Sequence, residues 1–164
     1  MRFGLAADHA GFLLREPLAV QLGALGHEVV DFGATKFVAH DDYPDMVSPL
    51  AEALARGDVE RAVAICGSGV GACIVANKVP GVRASVCHDT YSARQGVEHD
   101  DMNMLVLGAR VAGAALIADI VETFARARFT GEERHVRRLR KLKDLEKHYS
   151  RSVLPREVPI ACTR

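Results

Sequence analysis

Five short apolar runs recur along the chain, at Phe3 to Ala7, Glu28 to Asp31, Ala62 to Cys66, Arg83 to Cys87 and Met104 to Leu107, each with the length of a β-strand. Between them lie segments whose apolar residues return at helical intervals: Leu13, Leu14, Leu18, Val20, Leu22 and Leu25, then Met46 to Ala55, Tyr91 to Glu98, and Ala114 to Ala127. This alternation leaves few folds open. It predicts an α/β chain whose parallel strands, joined by right-handed crossovers, form an open sheet with helices on both faces. A length of 164 residues suits one domain.

Ligands of such sheets bind beyond the carboxyl ends of the strands, so the residues that follow each run carry the functional question. Asp8-His9-Ala10-Gly11 follows the first run and Cys66-Gly67-Ser68-Gly69-Val70-Gly71 closes the third. His88-Asp89 follows the fourth run and Gly108-Ala109-Arg110 the fifth. Four loops can therefore supply groups to one rim.

Bulk charge names no partner. Lys plus Arg and Asp plus Glu are 21 each, without the basic excess or interleaved aromatics of a nucleic-acid binder. No long uncharged apolar stretch offers a membrane span, and the opening residues are too brief and too soon charged for a signal segment. The expectation is a cytoplasmic protein with no nucleic-acid or membrane partner. Cys66, Cys73, Cys87 and Cys162 lack the paired spacing of a zinc ribbon and read as reduced thiols, with no metal implied. Arg and Lys dominate after residue 126, and Arg134, Arg138 and Lys141 share one helical face. Such a run is usually a solvated face, but paired guanidinium groups also suit a phosphate. Residues 1–149 are expected to form the domain, and residues 150–164, broken by Pro155 and Pro159, a C-terminal extension.

The segment Cys66-Gly67-Ser68-Gly69-Val70-Gly71 is the sharpest local signal. Its alternating glycines let the backbone turn tightly and aim successive N–H groups into one concavity at a helix N-terminus, a setting that stabilises a phosphate or an oxyanion. The bland alternative is a tight strand-to-helix turn with no ligand. Gly67, Gly69 and Ala72, with Asp89 downstream, also satisfy a loose dinucleotide fingerprint, although a thiol followed by a hydroxyl is foreign to it. A hydrolase with Cys66 or Ser68 as nucleophile and His99 as base is a further alternative, although Cys66 breaks the Gly-x-Ser-x-Gly elbow. Free cysteines are most often buried hydrophobes, which is the reading for Cys73 and Cys87. Cys66 ends a strand at the ligand rim, where helix N-terminal amides are expected to lower its pKa. Asp8 has the place of an ordinary N-cap, and His99 that of a helix-end histidine favoured by the dipole.

Taken in order, Asp8-His9-Ala10-Gly11, Asp42-Tyr43-Pro44, Cys66 to Gly71, Ala76-Asn77-Lys78, Tyr91-Ser92-Ala93, His99, Asn103, Gly108-x-Arg110 and Arg134-His135 with Arg138 resemble one family: ribose-5-phosphate isomerase type B, with its galactose-6-phosphate isomerase relatives. The resemblance runs from residue 2 to about residue 148. It implies a three-layer α/β/α sandwich around a Rossmann-like five-stranded parallel sheet. It further implies a homodimer or dimer of dimers with active sites at the subunit interface, and no cofactor. The implied reaction interconverts an aldose and a ketose phosphate through an enediolate.

The implied roles fall on numbered positions of this chain. Cys66 is the base that carries the proton between C2 and C1. Ser68 manages the oxygen-bound protons, and His99 opens the sugar ring. The amides of Gly67, Gly69, Val70 and Gly71 form the anion hole. Asp8 and Tyr43 hold sugar hydroxyls, while His9, Arg110, Arg134 and Arg138 form the phosphate and polar-substrate group. Relatives commonly carry asparagine where this chain has Asp100, and an ionised carboxylate cannot donate the hydrogen bond that an amide can. Ribose 5-phosphate is the first expected substrate, with tetrose or hexose phosphates (erythrose or erythrulose 4-phosphate, allose or galactose 6-phosphate) as alternatives. A nucleotide- or phosphate-binding module without chemistry is the alternative of another class.

Overall fold

A computed structural model describes residues 1–34 and 36–151. Among them the strands are β1 (Arg2–Ala7), β2 (Glu28–Asp31), β3 (Arg61–Cys66), β4 (Ala84–Val86) and β5 (Met104–Gly108). The helices are α1 (Phe12–Ala24), α2 (Tyr43–Arg56), α3 (Val70–Ala76), α4 (Thr90–Asp100), α5 (Ala114–Arg126) and α6 (Glu133–Arg151). All strand pairs are parallel and the order is β2-β1-β3-β5-β4.

Side-chain alternation along the central strands decides the layers. Phe3, Leu5, Val63, Ile65, Leu105 and Leu107 point to one core, where they meet α1, α4 and α5 through Leu18, Leu22, Val97, Ile117, Ile120 and Phe124. Ala6, Ala62, Ala64, Cys66, Met104 and Val106 point to the other core and meet α2 and α3. Small residues on this second face let α2 approach closely: a Cβ on Gly4 would collide with Leu50. Cys66 is the last residue of that small-residue series, so its side chain faces the α2 and α3 layer at the carboxyl end of the sheet. Each large aliphatic side chain so buried contributes roughly 1.5–3 kcal/mol of transfer free energy.

The three-layer α/β/α arrangement expected from the sequence is therefore the one observed, with local differences. α2 begins at Tyr43 rather than near Met46, because Asp42 is extended at the N-cap and Pro44 suits the first helical turn. β4 is shorter than the apolar run because the Arg83 N–H goes to the Asn103 side chain at 2.7 Å instead of the ladder. The basic run forms α6. At the opposite end of the sheet from Cys66, the buried Arg61 guanidinium donates to the carbonyls of Phe124 and Ala127, closing the end of α5. Burial lowers its pKa to about 10, which leaves it charged. Among the described residues no helix is long and apolar enough to cross a membrane. Residues 152–164, which make up most of the expected extension, lie outside the described residues.

Candidate active site

The strand order reverses direction between β1 and β3, and parallel sheets open a crevice at the carboxyl ends of such a pair. Asp8 and Cys66 stand there. The Asp8 N–H donates to the Ile65 carbonyl at 3.1 Å, extending the β1–β3 pairing past the strand end. Its buried carboxylate accepts from the amides of Ala10 at 2.9 Å and Gly11 at 3.2 Å. Gly11 is required by the closeness of β3, since a Cβ there would lie 2.5 Å from Ile65 Cγ2. The loop after Cys66 is laced to the end of β5: Ala109 N–H donates to the Cys66 carbonyl at 2.8 Å and Arg110 N–H to that of Gly67 at 3.0 Å. Gly69, the N-cap of α3, has φ +83, a left-handed conformation that glycine adopts without strain.

The Cys66 thiol is pushed up, not down. Burial is the largest cause, followed by its hydrogen bond to the Asp8 side chain and the charge of that carboxylate. The amides of Gly69 and Gly67 hydrogen-bond the sulfur and oppose the shift without cancelling it. The expectation of a depressed thiol fails because a helix of seven residues whose first amides are partly engaged cannot outweigh burial beside an acidic group. Amides expected to form an anion hole have partners within the chain. Val70 N–H donates to Ser68 Oγ at 3.3 Å, so that amide is occupied, and Gly67 and Gly69 aim at sulfur.

Other expected residues gather on the same rim. The Tyr43 ring lies on Gly71, where a Cβ would stand 2.6 Å from Tyr43 Cζ, so the third glycine of the loop makes room for the tyrosine. His9 is held by Asp41, whose Oδ1 accepts from His9 N at 3.0 Å and meets its Nδ1 at 2.7 Å. A carboxylate only accepts, so Nδ1 carries a proton and Nε2 is left to face outward. Asp41 was missed at the sequence level, although it sits directly before Asp42-Tyr43. Arg110 is exposed, with its side chain beside Gly67, and forms no ion pair among the described residues.

His99, Asp100, Arg134 and Arg138 are not on this rim. α4 runs back against the strands, so its end precedes the start of β5, whereas Cys66 is paired with the end of β5 at Gly108. From Met104 to Gly108 is four steps of about 3.3 Å, or roughly 13 Å, and His99 lies beyond that start. At this opposite edge His99 stacks on His135 with ring centroids 4.2 Å apart. His135 is buried and its pKa is lowered, by burial first and then by the neighbouring His99. Thr130 N and Oγ1 both donate to the Glu98 carbonyl at 3.0 Å, tying α4 to the start of α6, which carries Arg134 and Arg138. Arg134 pairs with Glu132 at 2.9 Å, while Arg138 is exposed and unpaired among the described residues. A cleft of about 600 Å³ opens between β4, α4 and α6, lined in part by Gln95, Asp100 and Leu142.

Several motif residues prove structural. Asn77 donates to the Ala84 carbonyl at 2.9 Å and accepts from its N–H at 3.0 Å, and Asn103 joins Arg83 N to the Gly81 carbonyl. Both amides pin the short β4. Asp89 caps α4, accepting from Ser92 N at 2.7 Å and Ser92 Oγ at 2.9 Å, which holds its pKa down and takes it from the dinucleotide fingerprint. A hydrolase pairing Cys66 with His99 inside one chain lacks the necessary contact. Among the described residues no cluster of three or more His, Cys, Asp or Glu is placed to hold a metal ion.

The family model described as Ribose/Galactose Isomerase matches residues 3–142. The chain is 39% identical over 145 residues to ribose-5-phosphate isomerase B of Escherichia coli (strain K12), covering 88% of this chain and 96% of that one. It is 37% identical over 131 residues to D-erythrulose-4-phosphate isomerase of Pectobacterium atrosepticum, covering 80% of this chain and 86% of that one. The solved structure of Clostridium thermocellum ribose-5-phosphate isomerase B superposes with a TM-score of 0.87 at 45% identity, covering 91% of this chain and 99% of that one.

Proposed function

The chain belongs to the ribose/galactose isomerase family, and from that premise we propose that it interconverts an aldose phosphate and its ketose, ribose 5-phosphate and ribulose 5-phosphate first among them, as a cytoplasmic homodimer. The observation that carries the chemistry is a buried thiol in hydrogen-bond contact with a buried carboxylate at the crevice between β1 and β3.

In this scheme the protonated thiol of Cys66 is the resting form, its proton hydrogen-bonded to Asp8. Passing that proton to Asp8 generates the thiolate, which takes the proton from C2 of the open aldose. The resulting enediolate is stabilised by the amide of Gly71 and, once the sulfur is protonated and needs them less, by those of Gly67 and Gly69. Ser68 moves the proton between the C1 and C2 oxygens, and Cys66 returns its proton at C1 to complete the ketose. Tyr43 holds a sugar hydroxyl. Ring opening precedes these steps: His99 gives a proton to the ring oxygen as its bond to C1 breaks and takes the C1 hydroxyl proton in return, leaving the aldehyde and a neutral imidazole.

Because His99, Arg134 and Arg138 stand at the other end of the sheet from Cys66, both groups reach one sugar only when two copies pack with opposite ends together. A two-fold axis does this, repeating the pairing at two equivalent sites. His9 and Arg110 of one copy, with Arg134 and Arg138 of the other, then surround the phosphate. The exposed apolar residues Val70 and Ile74 on α3, and Leu142 and Leu145 on α6, suit such a contact. Residues 1–149 are taken as the isomerase domain, with 150–164 as an extension.

Asp100 favours a second substrate reading. A carboxylate in place of a donor amide changes one polar contact in the pocket, and the 37%-identical relative is named for a tetrose phosphate. A panel of tetrose, pentose and hexose phosphates assayed for aldose–ketose conversion tests the proposal. Turnover of at least one pair is expected, with Cys66→Ala losing kcat while KM changes little. Near-normal turnover by Cys66→Ala would reject the mechanism.

A further inference from the structure

The end of α4 holds a closely tied group in which one member has no assigned task. Gln95 lies one helical turn before His99 on the same face, and its Nε2 is 2.9 Å from His99 Nδ1. An amide nitrogen only donates, so Nδ1 accepts and is bare. In the neutral imidazole the single proton then sits on Nε2.

The stacked partner has a fixed state too. Thr130 Oγ1 gives its one proton to the Glu98 carbonyl. Toward His135 Nδ1, 2.8 Å away, it can therefore only accept, and His135 carries its proton on Nδ1. Burial keeps that ring neutral. An uncharged ring 4.2 Å away sets the plane of the His99 imidazole without deciding which nitrogen faces which way. Gln95 decides that.

We propose that Gln95 is a positioning residue that holds His99 in the Nε2–H tautomer, so that the ring presents a proton, and not a lone pair, to the ring oxygen of a cyclic sugar phosphate. The inference rests on the ring-opening role given to His99 above. A substrate that cannot close a ring has no use for this device, so Gln95 matters for a furanose and not for a tetrose 4-phosphate, whose terminal oxygen is esterified.

The test combines spectroscopy with a substrate comparison. In protein carrying ¹⁵N-labelled histidine, two-bond proton–nitrogen correlations are expected to identify His99 Nε2 as the protonated nitrogen. In Gln95→Glu the carboxylate only accepts, so the proton moves to Nδ1; in Gln95→Leu neither tautomer is imposed and both appear. Gln95→Glu is then expected to lose about 100-fold in kcat on ribose 5-phosphate, with KM nearly unchanged. Turnover of erythrose 4-phosphate stays within about two-fold. A wild-type His99 protonated at Nδ1 would overturn the proposal, as would equal losses on the two sugars. Failure of the wild-type protein to turn over either sugar would instead defeat the functional reading, while the nitrogen spectrum still decides the tautomer.

Discussion

At Cys66 two sets of groups pull in opposite directions. Burial and Asp8 favour the thiol, the amides of Gly67 and Gly69 favour the thiolate, and the balance lies with the thiol. Replacing Asp8 by asparagine removes the negative charge and the carboxylate acceptor but leaves the burial. The thiol pKa is then expected to fall without reaching that of an open cysteine. Iodoacetamide should therefore alkylate Cys66 faster in Asp8→Asn than in the wild type near pH 8, and slower alkylation would contradict the assignment. The same variant is expected to lose isomerisation although its thiolate is more abundant, since the carboxylate that holds a sugar hydroxyl and receives the thiol proton is gone. The position of Cys66 was legible in the sequence, because a strand end followed by glycines marks a ligand rim. The sign of its shift was not: it depends on Asp8, 58 positions earlier in the chain, reaching the sulfur across the β1–β3 pair. Asp41 was hidden for the same reason, since only folding brings it to His9.

At the level of elements, short apolar runs located every strand and the 3.6 period most helices, because each central strand is buried on both faces between two cores. What the pattern missed lies at the ends, where side chains replace backbone partners. Asn77 and Asn103 share the ordered motif with the site residues, yet they serve as partners for the three-residue β4. Nothing in their spacing separates a ligand from a strand pin. The contact between α4 and α6 carries a pH prediction. His135 has a folded pKa below the usual 6.5, so below that value the unfolded chain binds a proton that the folded one refuses. Stability is then full above about pH 6.5 and declines as pH falls beneath it. His27, also lowered by burial, adds to this decline. Calorimetry at fixed protein concentration is expected to show a lower Tm near pH 5.5 than near pH 7.5. His135→Asn, whose amide can still donate to Thr130, should narrow that gap, and an unchanged gap would remove His135 from the account.

Across the whole molecule, the residues expected to act on one sugar are divided between the two ends of the sheet. Asp8, His9, Tyr43, Cys66 and Arg110 stand at the carboxyl ends of the strands, and His99, Arg134 and Arg138 at the amino ends. A linear reading shows only that each group follows an element; it does not show that α4 carries His99 away from the rim. That separation makes pairing between copies the central claim, and complementation tests it most directly. Cys66→Ala and His99→Asn are each expected to be nearly inactive on ribose 5-phosphate. Co-expressed with different affinity tags and purified as the mixed pair, they should form one intact site of two and recover about half of the wild-type activity. A mixed pair no more active than its parents would contradict a site shared between two copies.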